Sequence, residues 1–181
     1  MKRIILTTVL IFGLSLFSSV HAQSKKLIST NSVGPVKIGM SAARAQKLLR
    51  PLFVTKGVNV FEGDMYSEVK QGKRVVMTFI EYFRKITSIE VFDTSYQTAK
   101  GVHVGMLLNE VEEKYGKLIH LRYEGFDDAE YADFENLPKG IAITVAVKGE
   151  KGQVGTYPEN RNKTTKFKDG IYVKSIIVMD H

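Results

Sequence analysis

Two segments of the chain enter a helix in the same way, and this duplication constrains the fold more than any other feature. Residues 35–50 read PVKIGMSAARAQKLLR and residues 101–117 read GVHVGMLLNEVEEKYGK, so Gly39-Met40 aligns with Gly105-Met106. The shared positions are apolar or glycine, whereas the polar positions differ between the two segments. Because packing residues repeat and surface residues vary, these four fold-signature residues predict shared architecture. Function is therefore sought where the two halves differ.

The rest of each half predicts antiparallel strands. Runs of β-branched and aromatic residues are typical of strands, and they occur at 75–83, 86–92, 141–147 and 171–179. Arg84-Lys85 is the predicted hairpin turn between the first two. Two less regular stretches, 53–70 and 118–135, predict one or two further strands in each half.

Short amphipathic stripes predict one helix of about ten residues after each Gly-Met turn. Ser41 is the expected N-cap of the first helix, and Asn109 with Glu112 forms a candidate capping box in the second. The pattern predicts an α+β fold of two tandem repeats, each a helix followed by an antiparallel meander, with the helices packed on one face of the sheet. The predicted repeats are 23–97 and 98–181, and the second contains a long loop at 149–170.

The motif shared by residues 36–49 and 102–116 resembles the helix entry of the β-lactamase-inhibitor-protein-like fold. That fold includes the small lipoprotein of the outer-membrane barrel-assembly machinery (SmpA/OmlA type). The resemblance implies an exported bacterial binding module without catalytic activity. Two departures are Leu107, where the motif has Ser or Thr, and the absence of cysteine, which excludes the lipoprotein form.

The first 22 residues predict a cleaved signal peptide. Lys2 and Arg3 precede an uncharged apolar stretch, and Val20-His21-Ala22 matches a cleavage site. A membrane anchor is the alternative, but a full span needs about 20 apolar residues. The expected protein is soluble, periplasmic or secreted, without a transmembrane segment after cleavage. Loss of Lys2 and Arg3 lowers the formal net charge from +7 to +5, and the scattered lysines do not favour nucleic acid as a partner.

Groups able to do chemistry are scarce. Thiol catalysis and thiolate metal sites are excluded because the chain has no cysteine. His103, His120 and His181 have no acidic or histidine neighbour at metal-ligand spacing, and nucleophile-elbow and phosphate-loop motifs are absent. The sequence therefore predicts no catalytic residues, no metal and no cofactor.

Two polar segments are the candidate contact surfaces. The acidic stretch 124–135, EGFDDAEYADFE, is either a charged edge strand that discourages aggregation or a surface for a basic partner. The long loop 149–170 is either a mobile linker or an acquired binding site. The candidate partner-binding residues are Phe126, Asp127, Asp128, Glu130, Tyr131, Asp133, Tyr157, Arg161, Lys163, Lys166 and Phe167.

The expected function is binding of a protein or of a cell-envelope component. Binding of a small ligand between sheet and helices is one alternative, and an envelope hydrolase is another. The sequence predicts neither the identity of the partner nor the oligomeric state.

Overall fold

The computed structural model describes residues 26–55, 58–61, 64–126 and 128–180. The predicted signal peptide and Asp127 lie outside these residues. The elements in chain order are β1 Leu27–Ser29, β2 Ser32–Val33, β3 Val36–Lys37, α1 Ala42–Leu48, β4 Phe53–Val54, β5 Val58–Phe61, β6 Asp64–Gln71, β7 Arg74–Tyr82, β8 Lys85–Val91, β9 Gln97–Thr98, α2 Leu108–Tyr115, β10 Leu118–Glu124, β11 Ala129–Phe134, β12 Ile141–Val147, β13 Lys163–Thr164 and β14 Ile171–Met179.

In the described part of the chain the strands form two sheets. The larger has ten strands in the order β13-β10-β11-β12-β14-β8-β7-β6-β4, with β5 also paired to β6, and its neighbours are antiparallel. Strands β8 and β14 join the two halves of the chain, with Glu90 opposite Ile177. The smaller sheet has the order β3-β2-β1-β9, and β9 runs parallel to β1.

The predicted α+β fold of two helix-plus-meander repeats with a helical layer is wrong, because the described chain is mainly strand. Within those residues the helices are α1 and α2, of 7 and 8 residues. The larger sheet is nine strands wide, because β4 and β5 both pair with the same side of β6. At about 4.8 Å spacing it spans roughly 40 Å, whereas eight helical residues measure about 12 Å. Two such helices are too short to form a layer over the sheet. Ile28 and Val33 of the smaller sheet also belong to the hydrophobic core.

The two Gly-Met segments make equivalent main-chain hydrogen bonds. Gly39 N donates to Ile86 O at 2.8 Å, and Ile86 N donates to Met40 O at 2.7 Å. In the second half Gly105 N donates to Val173 O at 2.8 Å, and Val173 N donates to Met106 O at 2.9 Å. Both glycines have positive φ, 81° and 89°, a region that glycine enters at low cost. Each turn therefore fixes the start of a helix against a strand of the large sheet.

Local predictions have mixed outcomes. The Ser41 cap is confirmed, since its side chain accepts from Arg44 N at 3.4 Å. The Asn109 cap is wrong: α2 begins at Leu108, and Glu110 Oε2 accepts from Leu107 N at 2.8 Å. The strands predicted at 141–147 and 171–179 are confirmed. The predicted hairpin is also confirmed, but its turn is Phe83-Arg84, one residue earlier than expected.

No helix in the described ranges is long and apolar enough to cross a membrane.

Candidate functional site

Glu130 of the acidic stretch holds the long loop against the sheet. Glu130 is 6% exposed. Val154 N donates to Glu130 Oε2 at 2.5 Å, and Gly155 N donates to Oε1 at 2.7 Å. The Tyr157 hydroxyl donates to Oε1 at 2.6 Å. A buried carboxylate needs such donors, because leaving it unpaired in the interior carries a large desolvation cost. The structure therefore brings the two sequence-predicted segments into one unit.

The side chain of Glu130 faces inward because of strand alternation. In β11, Glu130 lies on the same face as Ala132 and Phe134, which are both buried in the core. A carboxylate at a core-facing position of a strand predicts that hydrogen-bond donors surround it in the interior. This alternation in residues 130–134 is the sequence pattern that could have identified Glu130 as buried. The sequence prediction instead assigned Glu130 to a partner-facing surface. In the structure its carboxylate is occupied by the loop.

The loop is also hydrogen-bonded to itself and to strand β10. Thr164 Oγ1 donates to Thr156 O at 2.6 Å, and Thr156 N donates to Lys166 O at 2.8 Å. Strand β13, inside the loop, pairs with Leu121 and Arg122 of β10. Val154 is 3% exposed and belongs to the core. Segment 149–170 is thus a folded part of the protein rather than an unattached linker.

Gly155 allows the two arms of the loop to approach closely. A Cβ atom at this position would lie 2.8 Å from Thr164 Cγ2 and 2.9 Å from the Tyr157 ring. Those distances are shorter than van der Waals contact, so a larger residue would push the ring or the threonine away. Glycine is therefore required at position 155, because there is no space for a Cβ atom.

Two tyrosines lie beside the carboxylates of this unit. Burial and the hydrogen bond to Glu130 raise the pKa of Tyr157 far above its ordinary value. The hydrogen bond that Tyr123 donates to Asp128 Oδ1, at 3.0 Å, raises the pKa of Tyr123 as well. The two rings are tilted, with centroids 6.0 Å apart. Both hydroxyls are therefore neutral donors at physiological pH.

A groove runs between the loop and the start of β10. Its volume is about 530 Å³. Three of its lining side chains carry positive charge, namely Arg161, Lys163 and Lys166, and all three are exposed. None of the described residues that line it is acidic, and among these residues the three cations form no ion pair. Apolar contact area comes from Ile119, Tyr157 and Pro158. The groove combines unneutralised positive charge with apolar walls.

A charged network lies on β10 and β11 near this groove. His120 Nε2 is 2.9 Å from Asp133 Oδ2, and Arg122 Nε is 3.6 Å from the same oxygen. Arg122 also pairs with Glu124 and lies over the Tyr131 ring, 4.9 Å from its centroid. Tyr131 is buried, and Asp133 is half-buried. These acidic and aromatic side chains are engaged within the protein.

The remaining predicted contact residues are dispersed. Phe126 is 91% exposed at the β10–β11 turn, and Asp128 is exposed beside it with a φ of 46°. Phe167 is 44% exposed and lines a different cavity, of about 350 Å³, which also contains Leu107. Phe126 and Phe167 are therefore not among the side chains that line the groove. Asp128 and Glu130 instead line another cavity together with the first part of the loop, which includes Glu150 and Lys151.

The described residues contain no group of three or more histidine, aspartate or glutamate side chains arranged to bind a metal ion.

Comparison with known proteins shows a similarity of fold and does not identify a family. No protein-family model matches the chain, and no curated protein matches it. The chain is similar to the crystal structure of the uncharacterized protein yfeY from Escherichia coli, with a TM-score of 0.62 and 18% sequence identity. The similarity covers 84% of this chain and 99% of that one. At this identity the likeness shows the fold and assigns no activity.

Proposed function

We propose that the protein is an exported binding module without catalytic activity, and that it binds an acidic segment of a partner protein in the groove between the long loop and β10. The observation that carries the proposal is the anchoring of the loop on Glu130. Three hydrogen bonds to one buried carboxylate hold the loop in place, so the main chain that carries its cations is held against the sheet.

The positive charge and apolar walls of the groove favour a partner segment that carries carboxylates and apolar side chains. Arg161, Lys163 and Lys166 attract carboxylates, and arginine binds them with paired hydrogen bonds. Ile119 and Pro158 add apolar area, and Tyr157 adds a ring with limited conformational freedom. Interfaces of this kind gain affinity from buried apolar and aromatic anchors, while the surrounding charges increase specificity and association rate. Binding should therefore weaken as salt concentration rises.

The test uses substitutions on the surface of the loop. Deleting the loop would remove buried Val154 and leave Glu130 without its donors, so loss of binding would not be distinguishable from loss of folding. The variant R161Q/K163Q/K166Q removes three exposed charges instead. The matched control, R44Q/K47Q/K73Q, removes three exposed charges from α1 and the β6–β7 turn.

The tagged chain from Gln23 onward is used to capture proteins from an envelope extract, and captured proteins are quantified by mass spectrometry. The proposal requires a partner that the wild type and the control both retain and the groove variant loses. That partner is then purified and titrated against each variant at increasing salt. If every captured protein binds the groove variant as well as the wild type, the proposed function is wrong.

A further inference from the structure

The tip of the β7–β8 hairpin presents aromatic and basic side chains to solvent. Phe83 is 80% exposed and Tyr82 is 44% exposed, and their rings meet edge to face with centroids 4.3 Å apart. Arg84 and Lys85 follow them and are exposed. Within the described residues neither cation forms an ion pair. The carboxylate of nearby Glu81 is directed to the start of α1, where it accepts from Ala42 N at 2.5 Å.

The backbone of this turn is unfavourable for the residues it carries. Phe83 and Arg84 have φ values of 46° and 64°. A two-residue turn with positive φ at both positions favours Asn-Gly, and a bulky aromatic residue there is strained. Strained positions of this kind are concentrated at functional sites. Packing in the core does not explain an exposed phenylalanine in this conformation.

We propose that this tip inserts into the surface of an anionic lipid bilayer. Aromatic side chains are favoured at the interface between lipid and water, and lysine and arginine near it are attracted by anionic headgroups. Two adjacent rings with two cations on one narrow hairpin match that interface. The contact is peripheral and reversible, since so few side chains enter the bilayer.

The β10–β11 hairpin provides a natural control. Phe126 is also exposed on a hairpin tip, but its neighbours Glu124 and Asp128 are acidic. The antiparallel order of the sheet places this tip at the opposite end from Phe83-Arg84. An acidic tip is repelled by an anionic bilayer, so the two hairpins should differ in binding although each exposes a phenylalanine.

The experiment measures co-sedimentation of the chain from Gln23 onward, which retains every described residue, with vesicles of equal parts phosphatidylglycerol and phosphatidylcholine. The F83A variant should bind roughly tenfold more weakly than the wild type, and R84Q/K85Q should also lose at least roughly tenfold. The F126A variant should bind like the wild type. Vesicles of phosphatidylcholine alone should bind the wild type much more weakly.

The double variant F83N/R84G separates the membrane role from folding. It installs the residues that such a turn prefers, so its melting temperature should rise, while its binding to the anionic vesicles should be lost. Wild-type vesicle binding by this variant, or by F83A, would overturn the proposal. Loss of a protein partner by F83A without any change in vesicle binding would also overturn it and assign the tip to a protein interface.

Discussion

The hydroxyl of Tyr157 donates to Glu130 Oε1 at 2.6 Å, across 27 residues of sequence. This bond joins the acidic strand β11 to the basic loop. The two segments carry opposite charge, yet the contact between them is a buried hydrogen-bonded unit rather than a set of surface ion pairs. Because exposed ion pairs contribute little to stability and buried carboxylates with several donors contribute more, the unit holds the loop firmly.

Replacement of Glu130 by glutamine should destabilise the fold. Glutamine keeps one oxygen acceptor, but its amide nitrogen would face a main-chain or tyrosine donor. The expected loss is about 2–3 kcal/mol in the free energy of unfolding, typical of a buried donor left without an acceptor. Urea denaturation measures it. Exposed Glu159 in the same loop is the matched control, and E159Q should change stability by less than about 0.5 kcal/mol. Equal stability of E130Q and wild type would disprove the anchoring role.

Tyr157 should make stability decrease at alkaline pH. Its folded-state pKa is raised above the ordinary value of 10.0 by burial and by Glu130. The protonated Tyr157 hydroxyl contributes its full stabilisation of the folded state below pH 10.0. Above pH 10.0 this contribution to the free energy of unfolding decreases, because Tyr157 of the unfolded chain loses its proton at a lower pH than Tyr157 of the folded chain. Y157F lacks this proton, so the stability gap between wild type and Y157F should narrow above pH 10.0. Denaturation titrations at neutral and alkaline pH measure the gap, and a pH-independent gap would contradict this assignment.

A methyl group at residue 155 should disturb the loop. In G155A the new Cβ would meet Thr164 and the Tyr157 ring at under 3.0 Å, and overpacking of this kind costs about 1–3 kcal/mol. Gly125 is the matched control, because a Cβ there meets its nearest atom at an ordinary 3.7 Å. Thermal unfolding should show a lower melting temperature for G155A than for G125A. Equal melting temperatures would show that the loop is more adaptable than its packing indicates.

The long strands rich in β-branched residues are the part of the fold that the sequence predicts. Strands β12 and β14 follow from their β-branched residues alone, because that composition suits a buried pleated surface. Strands β2 and β3 have two residues each, which is too short for any period to be visible. The predicted helical layer is wrong because a stripe of three or four apolar residues indicates a helix but does not indicate how much of a sheet that helix covers.

The sequence predicts which segments form the candidate site but not how those segments contact each other. The sequence indicated that the acidic stretch and the loop were the segments to examine. It did not indicate that Glu130 accepts from residues 24 to 27 positions later, because such a contact depends on the path of the whole loop. The strained Phe83-Arg84 turn was also missed, although two bulky residues at a hairpin tip were visible in the sequence.

The most direct test of the proposed binding site is an amide hydrogen-exchange footprint of the chain with and without its purified partner. We predict added protection at residues 119–120 and in the loop segment 156–166, which together contain the residues that line the groove, and no change in β1–β3 or β9. Protection confined to the small sheet, with unchanged exchange at 119–120 and 156–166, would contradict it.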